Sequence, residues 1–134
     1  PRNVTMLNAE NLDVMRVAAQ AALDKKAFQL VGLEVTELTS YADALLLCSA
    51  ASDRQVAAVV DGVVASLKAA GRRPIHVEGD GRGGWVLVDY GDLIVHIFTE
   101  EKRAYYALEG LWGDAPKVAP ADLGLDGVGF AERS

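Results

Sequence analysis

Two hydrophobic periods divide the chain. Leu12, Met15, Ala18, Ala19, Ala22 and Leu23 recur at helical spacing, which predicts a first helix over residues 8–26 laying an alanine-rich stripe on the core. Residues 30–36 then alternate, with Val31, Leu33 and Val35 on one face and Gly32, Glu34 and Thr36 on the other, as in a strand with one wetter face. Residues 44–49 are almost continuously apolar, the pattern of a central strand covered on both sides. Ser52 followed by Gln55 reads as a capping box. Val56, Val59, Val60, Val63, Val64 and Leu67 continue it as an amphipathic helix, and Gly71 supplies a left-handed stop. Strand, helix and strand from Ala44 to Val77 predict a parallel, right-handed crossover. Residues 85–90 and 93–99 flank Gly91 and Asp92, a connection short enough to force an antiparallel hairpin. A closing helix over residues 100–112, capped by Thr99, completes the order α-β-β-α-β-β-β-α. The expected class is α/β (α+β), a mixed sheet of about five strands with flanking helices.

After Trp112 the periodicity stops. Residues 115–134 are rich in glycine and proline, and the expectation is a flexible tail or loosely docked strap whose removal after Pro116 leaves folding intact. Residues 1–7 read as an extension and residues 8–114 as the domain. A length of 134 residues with 51% hydrophobic content suits one core. The single Cys48 excludes an internal disulfide and fits a reducing cytosol. No basic leader or membrane-length apolar run is visible, so a cytoplasmic protein is expected. Net charge of -6 opposes dominant contact with nucleic acid or an anionic membrane, and would steer the chain towards a basic partner.

Several groupings imitate active sites. Gly79 to Gly84 satisfy G-x-G-x-x-G after a strand, but a phosphate cradle needs a helix N-terminus next, and a strand follows. Cys48 with His76 or His96 has the elements of a nucleophile and base, yet Cys48 sits in an apolar run where a neutral thiol is inert. Asp89, Asp92 and His96 are metal-ligand types, but aspartates flanking a tight turn ordinarily bond the local backbone. No catalytic residue, cofactor or metal is therefore expected. Trp85, Tyr90, Tyr105, Tyr106 and Trp112 gather on the hairpin and closing helix, and such residues anchor interfaces as readily as they fill cores. Tyr105 and Tyr106 are adjacent, so they cannot share one helical face.

The order of these pieces carries more than any one of them. Trp85, Asp89, Tyr90, Gly91 and Asp92, then Val95, His96 and Phe98, then Arg103, Tyr106, Leu108, Glu109, Leu111 and Trp112 form a series that closely resembles the signature of the ribosomal silencing factor, or Iojap, family. Asp43, Ser49, Ser52, Arg54 and the Val77-Glu78-Gly79 run stand at further family positions; Ala50 replaces a usual glycine and Gln55 a common histidine. The resemblance covers residues 8–114. It implies a catalytically degenerate, nucleotidyltransferase-like fold, and no D-x-D or E-x-D pair is found here on a strand. It further implies binding to the large ribosomal subunit through its basic protein numbered fourteen on the intersubunit face. Subunit joining would be blocked sterically and translation repressed when nutrients are scarce, and the free protein could form a homodimer. The expected partner-binding residues are Trp85, Asp89, Tyr90, Asp92, His96, Arg103, Tyr106, Glu109 and Trp112. The alternatives are a nucleotidyltransferase-like nucleotide-binding enzyme and a dimeric adaptor without ribosome contact.

Overall fold

The structure is a computed structural model that describes residues 7–80, 82–106, 110 and 112–131. Helix α1 (Ala9–Asp24) begins where the Asn8 side chain accepts a hydrogen bond from Asn11 N at 2.8 Å, and its buried side is Val14, Met15, Ala18, Ala19, Ala21 and Ala22. Strands β1 (Phe28–Glu34) and β2 (Ala44–Ala50) pair antiparallel. Helix α2 (Asp53–Ala69) starts with the Ser52 hydroxyl accepting from Gln55 N at 3.1 Å. The Gln55 carboxamide reaches back one residue further than a capping box requires, accepting from Ala51 N at 2.7 Å. Strands β3 (His76–Glu78), β4 (Trp85–Asp89) and β5 (Leu93–Thr99) follow, then helix α3 (Glu100–Tyr106), strand β6 (Lys117–Val118) and a 3-10 turn (Pro120–Leu123). The expected extension of the last helix towards residue 112 passes through residues outside those described.

The sheet runs β3-β4-β5-β2-β1-β6, with β2 and β5 its parallel pair. Because β4 is antiparallel to β5 and β3 antiparallel to β4, β3 points the same way as β2. The expected crossover is thus parallel, but β4 and β5 separate its two strands. The long hairpin takes the place beside β2, where β5 pairs along seven residues against β3's three with β4.

Two apolar layers enclose the sheet. Ala44, Leu46, Cys48, Val86, Val88, Val95 and Ile97 lie in one cluster with the buried stripes of α1 and α2. Leu45, Leu47, Ile94 and Phe98 face the other way and join Val31, Leu33, Val35 and Ala115. The expected wetter face of β1 is corrected here: Gly32 and Glu34 are as buried as their neighbours. Met15 of α1 lies so close that a Cβ on Gly32 would come within 2.8 Å of its sulfur. Amphipathic alternation cannot register a helix lying on the polar side.

The expected flexible tail is corrected as well. The strand β6 extends the sheet from about five strands to six, pairing with β1. Val118 and Leu123 are 3% and 2% exposed, and Leu30 exchanges backbone hydrogen bonds with Gly129 and Ala131. Without β6, the outer edge of β1 would present unpaired backbone groups. That edge holds the segment, although the segment lacks a period of its own. Leu7, assigned to an extension, is also buried.

Candidate docking face

Strand alternation divides the closing hairpin between the two layers. Val86 and Val88 turn under the helices, while Trp85, Leu87 and Asp89 lie opposite Phe98, His96 and Ile94 on the other face. Trp85, Leu87 and Asp89 are half-exposed, and beyond them the edge residues His76 and Glu78, paired with Asp89 and Leu87, are exposed. No described helix of the α1–α2 layer covers this side.

Its aromatic centre is ordered by one hydrogen bond. Trp85 Nε1 donates to His96 Nδ1 at 3.2 Å, which puts the hydrogen of the neutral ring on Nε2. The rings of Trp85, His96 and Phe98 lie within 13° of parallel, with centroids 5.9–6.0 Å apart, an offset arrangement. Burial pushes the His96 imidazole down to about 4, so at neutral pH it is an uncharged acceptor. Trp112 packs against the same apolar cluster as Trp85 and Leu87, and meets Tyr41 edge to face with centroids 6.4 Å apart.

The remaining expected docking residues divide by what holds them. Asp89 Oδ1 accepts from Gly91 N at 2.7 Å, fixing the turn while the residue stays half-exposed. Tyr90 points instead into the helix-side core, 3% exposed, and among the described residues its hydroxyl has no hydrogen-bond partner. Burial raises its pKa. Asp92 is a fastening point, its carboxylate accepting from Arg72 Nη2 at 2.8 Å and Asn11 Nδ2 at 3.3 Å. Its carbonyl accepts from Asp43 N and Ala44 N. That set ties α1, the end of α2 and the start of β2 to one turn, and the hydrogen bond to Asp92 raises the Arg72 pKa.

Arg103 is internal too, at 7% exposure. Its Nη1 donates to the Ser49 hydroxyl at 2.8 Å and to the Gln29 carbonyl at 2.6 Å. Gln29 stands at φ +53, where the register of β1 against β2 shifts between Phe28 and Val31. The bulge gives this carbonyl to the guanidinium at the cost of an unfavourable backbone conformation. The side chain of Tyr106 and all of Glu109 lie outside the described residues.

Chemistry of the catalytic kind finds little here. Burial pushes the Cys48 thiol up to about 12, and it faces the His96 backbone carbonyl at 3.7 Å rather than a base. Among the described residues no group of three or more His, Cys, Asp or Glu is placed to hold a metal. The glycine run serves a steric purpose: Gly79, at φ +91, passes so close to the Trp85 carbonyl that a side chain would collide with backbone. Gly84, at φ +77, leaves room for Lys102 and Thr99. Sequence reasoning missed the half-exposed Leu87 and the exposed Leu38 and Tyr41; for the last two, isolated apolar residues in the polar stretch 36–43 were the available signal. No local signal marked Arg72 or Asn11 as partners of Asp92.

The fold is thus a small α+β domain with a mixed sheet, in which Trp85, Leu87 and Asp89 of β4 stay half-exposed beside the buried β5. Residues 8–131 match the family model described as ribosomal silencing factor during starvation. The chain is 40% identical over 108 residues to the ribosomal silencing factor RsfS of Halalkalibacterium halodurans, covering 81% of this chain and 92% of that one. It is 38% identical over 113 residues to RsfS of Bacillus subtilis, covering 84% and 95%. A crystal structure of a protein from Chromobacterium violaceum superposes with a TM-score of 0.74 at 34% identity, over 80% of this chain and 88% of that one. The chain belongs to the ribosomal silencing factor family.

Proposed function

We propose that this protein binds the large ribosomal subunit and represses translation when nutrients are limiting. The match to the silencing-factor model over residues 8–131 carries this reading, and the names of the relatives from H. halodurans and B. subtilis support it. The docking surface is the half-exposed side of β4 and the edge strand β3 beside it, where Trp85 and Leu87 supply apolar area and Asp89 and Glu78 supply negative charge. Its partner is a basic protein of the intersubunit face, the one numbered fourteen. Once seated, the domain occupies space that the small subunit needs, so steric exclusion is sufficient and no chemical step is involved. Trp85 would be a strong anchor because its indole is already fixed by His96, and little rotamer freedom remains to be lost on binding. The protein acts in the cytoplasm, where ribosomes assemble.

The test is subunit association followed by light scattering and sucrose gradients with purified subunits. Added protein should co-migrate with free large subunits and reduce the yield of joined ribosomes. Unchanged association at saturating protein would reject the proposal.

A further inference from the structure

The loop between β1 and β2 exposes two apolar side chains, Leu38 at 47% and Tyr41 at 56%. The loop is nevertheless closed at its base. Val35 N donates to the Asp43 carbonyl at 2.9 Å, Leu38 N and Thr39 N both donate to the Val35 carbonyl at 3.0 Å, and Tyr41 N donates to the Thr39 hydroxyl at 3.4 Å. Tyr41 rests edge-on against Trp112, at 87° between ring planes. A small aromatic and aliphatic patch is thus held outward by a folded turn, so seating a partner on it orders little that is not already ordered.

Position and charge identify the occupant. Asp43 N bonds the carbonyl of Asp92, which joins the loop to the hairpin turn next to Asp89. Trp112 packs on the same buried cluster that carries Trp85 and Leu87, so the patch continues the docking face. Glu37 and Asp114 are exposed beside it in the chain, and Asp43 is half-exposed. A second copy of this chain, at net charge -6, would bring the same carboxylates against them, and RNA phosphates would be repelled in the same way. A basic protein surface suits both the apolar patch and its acidic border.

We propose that Leu38, Tyr41 and Trp112 form a second anchor for the same basic large-subunit protein, bordered by Glu37, Asp43 and Asp114. This rests on the docking reading above.

Binding kinetics of the full chain to purified large subunits at near-physiological salt test it, with Trp85→Ala as the reference variant. Tyr41→Ala and Leu38→Ala should speed dissociation, the tyrosine change weakening binding by about tenfold or more. Glu37→Lys should slow association and flatten its salt dependence. If Tyr41→Ala lowers the melting temperature, Leu38→Ala, which leaves the Tyr41–Trp112 pair in place, decides instead. Wild-type binding by all three variants alongside loss in Trp85→Ala would overturn the second anchor and leave the docking face standing. Altered self-association in ultracentrifugation with unchanged subunit binding would overturn it in favour of a second copy. No binding by the wild-type chain would reject the docking reading and this inference with it.

Discussion

His96 is neutral because burial among Trp85, Phe98 and the sheet disfavours its charged form, lowering its pKa from 6.5 to about 4. Above pH 6.5 neither folded nor unfolded chain protonates this ring. As pH falls from there towards 4 the unfolded chain takes up the proton first, so stability is lost through that window, on the order of 3 kcal/mol in total. Urea unfolding between pH 7 and 4 should show a flatter dependence in His96→Leu than in the wild type; parallel curves would show that another group governs the window. Arg103 makes a different kind of claim. Replacing it with methionine strands the Ser49 hydroxyl and the Gln29 carbonyl, so the expected loss is about 3 kcal/mol. Adding Ser49→Ala to that variant should recover part of the loss. A cost well under about 1 kcal/mol would mean that water replaces the guanidinium.

Among the elements, β6 and the turn after it show how a segment without periodicity becomes part of the fold. Strand β1 needs a partner on its outer side, and Lys117, Val118, Gly129 and Ala131 supply one through backbone groups that any sequence possesses. Chain cut after Pro116 should therefore unfold at a markedly lower temperature than the full chain, and Leu123→Ala alone should cost about 2–4 kcal/mol. Calorimetry showing an unchanged melting temperature on truncation would make the segment dispensable. The bulge at Gln29 belongs to the same scale: it interrupts the β1–β2 register and aims a carbonyl at α3, linking strand and helix through Arg103.

For the whole molecule, charge and apolar area separate kinetically. Asp92 is poorly suited to a charge-reversal test, since its carboxylate fastens Arg72 and Asn11. Glu78 is better, being exposed on β3 opposite Leu87. Glu78→Lys should slow association with large subunits and reduce its salt dependence, leaving dissociation near wild type. Trp85→Ala should speed dissociation, at a cost of about 2 kcal/mol or more. Surface binding kinetics at two salt concentrations distinguish them. Wild-type rates in both folded variants would place the docking surface elsewhere.

Local sequence determined the helices α1 and α2, the central position of β2, the antiparallel hairpin and the caps at Ser52 and Thr99, because each follows from periodicity or from a side chain reaching a nearby backbone group. The ordered signature also named the family, and with it the function now proposed. Local pattern could not determine the uses of Tyr90, Asp92 and Arg103. A tyrosine, a turn aspartate and a helix arginine read alike whether they meet solvent, a partner or the core, and their partners here stand 20 to 81 residues away or across the helical layer. The same limit hid the buried polar side of β1 and the sixth strand. Each is settled by which surface arrives from elsewhere in the chain, Met15 on Gly32 and Val118 beside the open edge, and only assembly of the tertiary structure brings those surfaces together.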